Sequence, residues 1–423
     1  MNNPDIIVVG GGAAGMMAAA KAVEAGARVL LIEKMERCGR KIRITGKGRC
    51  NITNIRKWED FSKHIHPNPS FFKNSFFNFS NIELIEYLNR IGLKTVVERG
   101  ERVFPESGRA SDVADILTDH LINSGVEISL RSKLISVEVE KSRILAISYL
   151  KEGRQIQARC KALILTTGGL SYPLTGSDGE GHNIVSRIGH KISTCFPSLT
   201  ALMPENFNQE LKGLTVKNCT LSLFENGAPV QEEFGDIEFT NNGLEGPLGF
   251  RVSRRAVKAM INGNKISVKI DLKPALESHK LESRVRGELQ SQKSGVKISE
   301  FLRGYIPLQM INSLCTYIGV EPHSTIDIDR DNIIKRVVEA LKNWQIKIVS
   351  YTSYERAVVT AGGVSLKEIS QKNLRSKIFD NLYFAGEIID LDGDTGGYNL
   401  QIAFSTGALA GESAAQSILN EGN

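Results

Sequence analysis

The sequence is short of several features that would each have pointed to a function class. No apolar run approaches the roughly 20 residues needed to span a bilayer, so neither a membrane span nor a membrane partner is expected. The first residues carry no basic region followed by a small-residue cleavage site, which leads to the expectation of a soluble, cytoplasmic protein. Cysteine is sparse, at six residues in 423: Cys38, Cys50, Cys160, Cys195, Cys219 and Cys315. None form C-x-x-C or the close pair of a disulfide reductase, so neither a zinc site nor a dithiol relay is expected, and no metal. Scattered thiols fit a reducing compartment. The 53 basic residues against 47 acidic ones leave a net charge of +6, too even to argue nucleic-acid binding. No Lys/Arg stripe with interleaved aromatics appears, so a nucleic-acid partner is not expected. There is no internal repeat and no second G-x-G-x-x-G.

What is present begins at the first strand. Asp5-Ile-Ile-Val-Val-Gly-Gly-Gly-Ala-Ala-Gly15 runs an apolar, β-branched segment into a glycine-rich turn, as a buried parallel strand should before a dinucleotide-binding helix. Gly10 allows the tight turn, Gly12 lets the backbone approach a pyrophosphate, and Gly15 lets helix and strand pack closely. Ala13, Ala14 and the residues to Ala25 are strong helix formers, and the first amides of that helix would face phosphate. A second strand, Arg28 to Ile32, ends at Glu33, 18 residues after Gly15, where a carboxylate accepts hydrogen bonds from a ribose. Lys34 follows it. The bland alternative is a strand–turn–helix without a ligand.

Past Glu33, residues 39–54 are basic and glycine-rich, with Gly39, Gly46 and Gly48 and five cations from Arg40 to Arg49. Such a loop is suited to run along a dinucleotide, with Arg40 and Lys41 neutralising phosphate. A solvated surface loop is the alternative. The phenylalanines between Phe61 and Phe79 read as core, with a substrate wall as the alternative. Helices are expected at 81–91 and 111–124, and antiparallel strands at 126–139 and 144–150. Ala162-Leu-Ile-Leu-Thr-Thr-Gly-Gly169 reads as a strand returning to the first sheet, bringing Thr167 and Gly168 to the ligand. Residues 199–203, 214–224, 236–239 and 265–270 read as strands. Residues 274–289, 298–318 and 331–344 read as helices, and 346–359 as one strand.

Near the other end, Asn381-Leu-Tyr-Phe-Ala-Gly-Glu387 repeats the pattern of apolar strand and glycine, then Asp394-Thr-Gly-Gly-Tyr-Asn-Leu-Gln401 leads into a helix. Gly386, Glu387, Asp390 and Asp394 are candidates for ribose or ribityl hydroxyls. Asn51, Gly397, Asn399 and Leu400 are candidates near a flavin ring, with the helix dipole aimed at it. A helix with an ordinary glycine boundary is the alternative.

Together these blocks resemble the BaiN-like, or aminoacetone oxidase, family of bacterial FAD-dependent flavoproteins over nearly the whole chain. The resemblance is carried by Gly10-x-Gly12-x-x-Gly15, Glu33, Gly46-Lys-Gly-Arg-Cys-Asn51, Arg102-Val-Phe-Pro105, Thr360-Ala-Gly-Gly-Val364, Phe384 to Asp390 and Gly393 to Gln401. It implies an α/β fold with a Rossmann-like, two-dinucleotide-type FAD domain, split by a β-rich insertion that carries a helical part. The expected boundaries are 1–190 with 352–423 for FAD, 191–272 with 345–351 for the insertion, and 273–344 for the helices. One departure is visible. Phe239-Thr-Asn-Asn-Gly-Leu-Glu-Gly-Pro247 has Asn241 and Glu245 where the family has His and Ser, which removes an imidazole and adds a carboxylate.

The expected function is flavin-mediated hydride transfer to or from a small molecule. Bile-acid members of the family imply NAD(P)H-driven reduction of an activated C=C bond, with NAD(P)H as a transient donor. The aminoacetone-oxidase name implies oxidation of an amine or alcohol by oxygen. A tRNA-modifying flavoprotein and a non-catalytic flavin scaffold are the other readings. For the catalytic group the sequence offers only guesses: Arg49, Tyr398 and Glu245.

Overall fold

The computed structural model describes residues 4–292, 295–326 and 330–421. The chain divides into two compact units, Met1–Pro197 with Tyr354–Asn423, and Ser198–Ser353.

The first unit is organised by a five-stranded parallel sheet. Its central strand β1 (Ile6–Val9) lies between β2 (Val29–Ile32) and the strand Ala162–Leu165, with Glu127–Ser129 and Leu382–Phe384 outside them. The three inner strands are buried throughout, as apolar runs covered on both faces must be. Helix α1 (Ala13–Glu24) packs along the last helix, Tyr398–Glu421. The two backbones approach so closely that a Cβ on Gly407 or Gly411 would collide with the carbonyls of Ala14 and Ala18.

Helix 81–90 starts at a Ser80–Glu83 capping box, in which each side chain satisfies the other residue's backbone amide. Strands Ser132–Glu140, Arg143–Lys151 and Arg154–Arg159 form an antiparallel sheet. The phenylalanines are largely packing: Phe61, Phe72 and Phe76 are buried against one another and Trp58.

The second unit is a closed six-stranded barrel of Leu202–Pro204, Gly243–Glu245, Ala228–Thr240, Thr215–Glu225, Ile266–Asp271 and Trp344–Tyr351, in that order around it. Leu221, Leu223, Ile237, Phe239, Val268 and Ile270 are buried at alternating positions and form its core, as period-two side chains of a small barrel do. Helices Ser278–Ser291, Ile298–Leu302, Ile311–Ile318 and Arg330–Asn343 belong to the same unit. Lys342 anchors the last of these, reaching the Asp271 carboxylate at 2.6 Å and the carbonyls of Lys273 and Leu276.

The structure departs from expectation in several details. The antiparallel strand expected at 126–139 is two strands: Glu127–Ser129 pairs parallel with β2, and Ser132–Glu140 pairs antiparallel with Arg143–Lys151. The helix expected at 298–318 is interrupted between Leu302 and Ile311, around Pro307, whose ring cannot continue a helix. Residues 293–294 and 327–329 of the helical stretch lie outside the described residues. The strand expected at 346–359 is two strands: Trp344–Tyr351 closes the barrel, and Val359–Val364 pairs with Ile192–Ser198. The cut between units accordingly falls after Pro197 rather than at 190.

Candidate functional site

The cleft of the first unit opens above the C-terminal ends of β1 and β2, where ligands of open α/β sheets bind. It encloses about 1340 Å³, counting the open space at its mouth. The three glycines of the first turn have three different tasks. A Cβ on Gly10, at φ +105°, would lie 2.5 Å from the Thr166 carbonyl oxygen. A Cβ on Gly15 would collide with the Gly10 carbonyl. A Cβ on Gly12 would meet no protein atom within 4 Å, and Gly12 lines the cleft. Gly12 is also the N-cap of α1 and makes no side-chain cap, so the orphan amides of the first turn face the cleft.

Glu33, at the end of β2, accepts from the Gly11 amide at 2.6 Å and from the Met35 amide at 2.8 Å. Burial pushes its carboxyl up despite these bonds. A carboxylate has about four acceptor positions, so Glu33 keeps acceptor capacity for a donor from a ligand. Thr167 lines the same cleft, and its buried hydroxyl has no hydrogen-bond partner.

The structure also brings Ala13, Ala14, Lys34, Gly39, Arg40, Lys41, Gly168, Gly386, Glu387, Asn399 and Leu400 to the cleft wall. The cations arrive already paired. Lys41 binds the Glu387 carboxylate at 2.6 Å, Arg40 binds Glu36 at 2.7 Å, and Lys34 binds Asp178 at 2.6 Å. Glu387 also accepts from the Thr360 amide at 2.7 Å. The loop therefore carries less free positive charge than its sequence suggests.

Gly46, Asn51, Asp394 and Gly397 do not line the cleft. Asn51 and Gly397 instead meet each other. With its amide oriented to satisfy both ends, Asn51 donates to the Thr53 carbonyl at 3.0 Å and accepts from the Gly397 amide at 3.1 Å. Asn54 donates to the Gly396 carbonyl at 3.1 Å. The two motif blocks are thus bolted together, backbone to side chain. Asp394 sits between His64 and His66, at 2.8 and 3.1 Å. Asn399 caps the same turn, accepting from the Gly393 amide and donating to the carbonyls of Gly393 and Asp394.

The catalytic guesses have other engagements. Arg49 pairs with the Glu98 carboxylate and stacks on the Phe104 ring, and does not line the cleft. Tyr398 is buried between Phe61 and His64, and burial pushes its hydroxyl up to about 12. Glu245 lies in the second unit, where it accepts from Asn242 and precedes helix Gly246–Ile261.

Sequence reasoning missed Arg37, Ser132, Lys133, Ser177, Glu180, Val358 and Val359 on the cleft wall. The glycines at 176, 179 and 181 were the available signal for the loop that carries Ser177 and Glu180. Val358 and Val359 read only as strand.

A family model described as HI0933-like protein Rossmann domain matches residues 4–413. The chain belongs to this family. A 3-dehydro-bile acid delta(4,6)-reductase of Clostridium scindens is 29% identical over 411 residues, covering 97% of this chain and 98% of that one. A ribosomal RNA dihydrouridine synthase of Escherichia coli is 28% identical over 413 residues, covering 96% of each chain. Among solved structures, 3-ketosteroid delta1-dehydrogenase from Sterolibacterium denitrificans shares the fold, at a TM-score of 0.55 and 14% identity, over 99% of this chain and 100% of that one. The family and the fold are those of FAD-dependent oxidoreductases. No helix among the described residues is long and apolar enough to cross a membrane.

Proposed function

We propose that the protein is an FAD-dependent reductase that adds hydrogen across a C=C bond conjugated to a carbonyl, with NADH or NADPH as a transient donor. The observation that carries the cofactor is the floor of the cleft. Gly12 offers open space beside unpaired helix amides, and Thr167 holds a buried hydroxyl that lacks a partner. An orphan polar atom of this kind calls for a ligand. The residues present fit FAD: Gly12 with the first amides of α1 would hold the pyrophosphate, Glu33 the ribose hydroxyls, and Asn399 and Leu400 the flavin end. FAD, when bound there, supplies hydride transfer. The chain's own contribution is to bind, orient and shield. Lys41 is held by Glu387, Arg40 by Glu36 and Lys34 by Asp178, so the backbone amides of the first turn carry most of the affinity for the phosphates.

The reaction class is supported by what the two relatives' names have in common. One is named as a reductase of an unsaturated bile acid, and the other for making dihydrouridine, which is uridine with one ring double bond reduced. Each target bond is conjugated with a carbonyl, directly or through a second double bond, so hydride addition at the electron-poor end and protonation of the conjugated system describe both. A uridine within ribosomal RNA is the second reading. It is favoured by the synthase relative's match along nearly the full chain, although the sequence lacks a basic stripe with interleaved aromatics.

The test is an anaerobic titration of the yellow protein with NADH and NADPH, followed by exposure of the reduced protein to a steroid dienone or to ribosomal RNA lacking dihydrouridine. Bleaching by a nicotinamide and recovery of colour with one acceptor is the expected result. Bleaching only by amines or alcohols would replace the reading with an oxidase. A protein without flavin after reconstitution would end the cofactor assignment.

A further inference from the structure

Behind the wall of the cleft formed by Asn399 lies a hydrogen-bonded cluster to which the proposed function assigns no role: Arg56, His64, His66, Glu101 and Asp394. Its proton positions follow from donor chemistry. Arg56 Nη1 lies 3.0 Å from His64 Nε2. A guanidinium can only donate, so His64 Nε2 accepts and its proton is on Nδ1. That Nδ1–H donates to Asp394 Oδ2 at 2.8 Å. His66 Nε2–H donates to the other carboxylate oxygen at 3.1 Å. Arg56 is itself neutralised by Glu101, at 3.0 Å. His64 is further held in place by stacking on Tyr398, with ring centroids 4.5 Å apart.

The outcome is a carboxylate kept ionised by two imidazole donors. Burial opposes its charge, yet the bonds from His64 and His66 hold its carboxyl below the ordinary range. The groups that face Asp394 are His64, His66 and, beyond them, the Arg56–Glu101 pair, with the buried Tyr398 hydroxyl beside them. The Asp394 backbone carbonyl accepts from Asn399, which lines the cleft, at 3.2 Å. Asp394 also immediately precedes the turn that opens the last helix.

We propose that Asp394 is a positioning residue whose fixed negative charge offsets the positive end of the last helix and holds the flavin at a low reduction potential. This rests on the cofactor assignment made above. Reduction adds negative charge to a flavin. A carboxylate near the helix N-terminus disfavours that charge, whereas the uncovered dipole would favour it. A flavin kept at low potential is a strong reductant, which favours hydride transfer to the conjugated double bond proposed above.

The experiment compares the flavin-loaded full chain with its Asp394→Asn variant by anaerobic equilibration with reference dyes. Flavin content and thermal unfolding are measured on the same samples. Asn keeps the size of the side chain, and its amide can pair with one donor and one accepting imidazole. The expected result is unchanged flavin content with the potential raised by about 30 mV, a tenfold change in the two-electron equilibrium. An unchanged or lowered potential at full flavin content overturns the proposal. Should that variant unfold, Asp394→Ser removes the charge without the amide, and the same shift is required of it. A third readout needs no variant. Histidine 15N spectra of the wild-type protein, with and without flavin, must show His64 protonated on Nδ1 alone, and a doubly protonated ring overturns the argument. Wild-type protein that never binds flavin would instead defeat the cofactor assignment, so the two failures are distinct.

Discussion

The chain has two glycine-rich turns, each between a buried strand and a helix, and in the structure they do opposite things. At Gly10–Gly15 the middle glycine faces empty space, and the turn opens onto the cleft. At Gly393–Gly397 the glycines face protein. A Cβ on Gly397, at φ +94°, would lie 2.5 Å from the Thr53 carbonyl carbon, and one on Gly393 would lie 2.7 Å from Tyr398 Cβ. The first turn's amides are left for a ligand, whereas the Gly397 amide is already taken by Asn51. Glycine thus serves close approach in both turns, but of cofactor to chain in one and of chain to chain in the other.

Side chains placed at the two turns separate these roles. Gly397→Val should have the largest effect, because left-handed strain and a clash with immovable backbone combine. We expect a loss above about 3 kcal/mol of stability, or no folded protein, read by urea unfolding. Stability within about 1 kcal/mol of wild type would show that the second turn is not clamped. Next is Gly407→Ala, which wedges a methyl group between α1 and the last helix. A loss of roughly 1–3 kcal/mol is expected on the overpacking scale. Glu33→Gln should act on the ligand rather than on the fold. It removes a charge-assisted acceptor, and about tenfold weaker FAD binding is expected, near 1.4 kcal/mol, by fluorescence titration of the apoprotein. Equal affinity would remove Glu33 from the site.

The smallest effect concerns acid. His182 and His190 are both buried, and burial lowers each pKa below the usual value of 6.5. The unfolded chain therefore binds more protons than the folded one just below pH 6.5. Stability is present above that pH and is lost as pH falls below it, by at most about 1.4 kcal/mol per pH unit for each group. Urea unfolding at pH 7.5 and 5.5 should show this, and His182→Gln should flatten the dependence. An identical slope in the variant would assign the acid sensitivity elsewhere.

Much of the first unit was legible because its signals are local. Strands β1, β2 and Ala162–Leu165 are short runs buried on both faces, and α1 is announced by its glycines and alanines. Glu33 was legible because the distance from Gly15 is set by one helix and one strand. Pairing between distant residues was not legible. Nothing in the basic loop says that Lys41 meets Glu387 or that Arg40 meets Glu36. Asp394 read as a ribityl ligand because carboxylates near glycine turns often are, and only the fold brings His64 and His66 to it. Tyr398 was a guess from the polar groups expected near the ring, yet its side chain packs into the phenylalanine layer. The barrel was legible as a set of strands, but the full length of Ala228–Thr240 was masked by its polar outward face.

The account stands most directly on Gly12→Val. Gly12 has φ −81° and ψ −172°, a conformation valine adopts without strain, and its side chain would enter only the cleft. Flavin released from the purified variant and its thermal midpoint should be measured beside those of wild-type apoprotein. The account predicts a colourless protein that unfolds at the temperature of the apoprotein. A yellow variant with one FAD per chain would contradict it, because the pyrophosphate could not then lie over this turn.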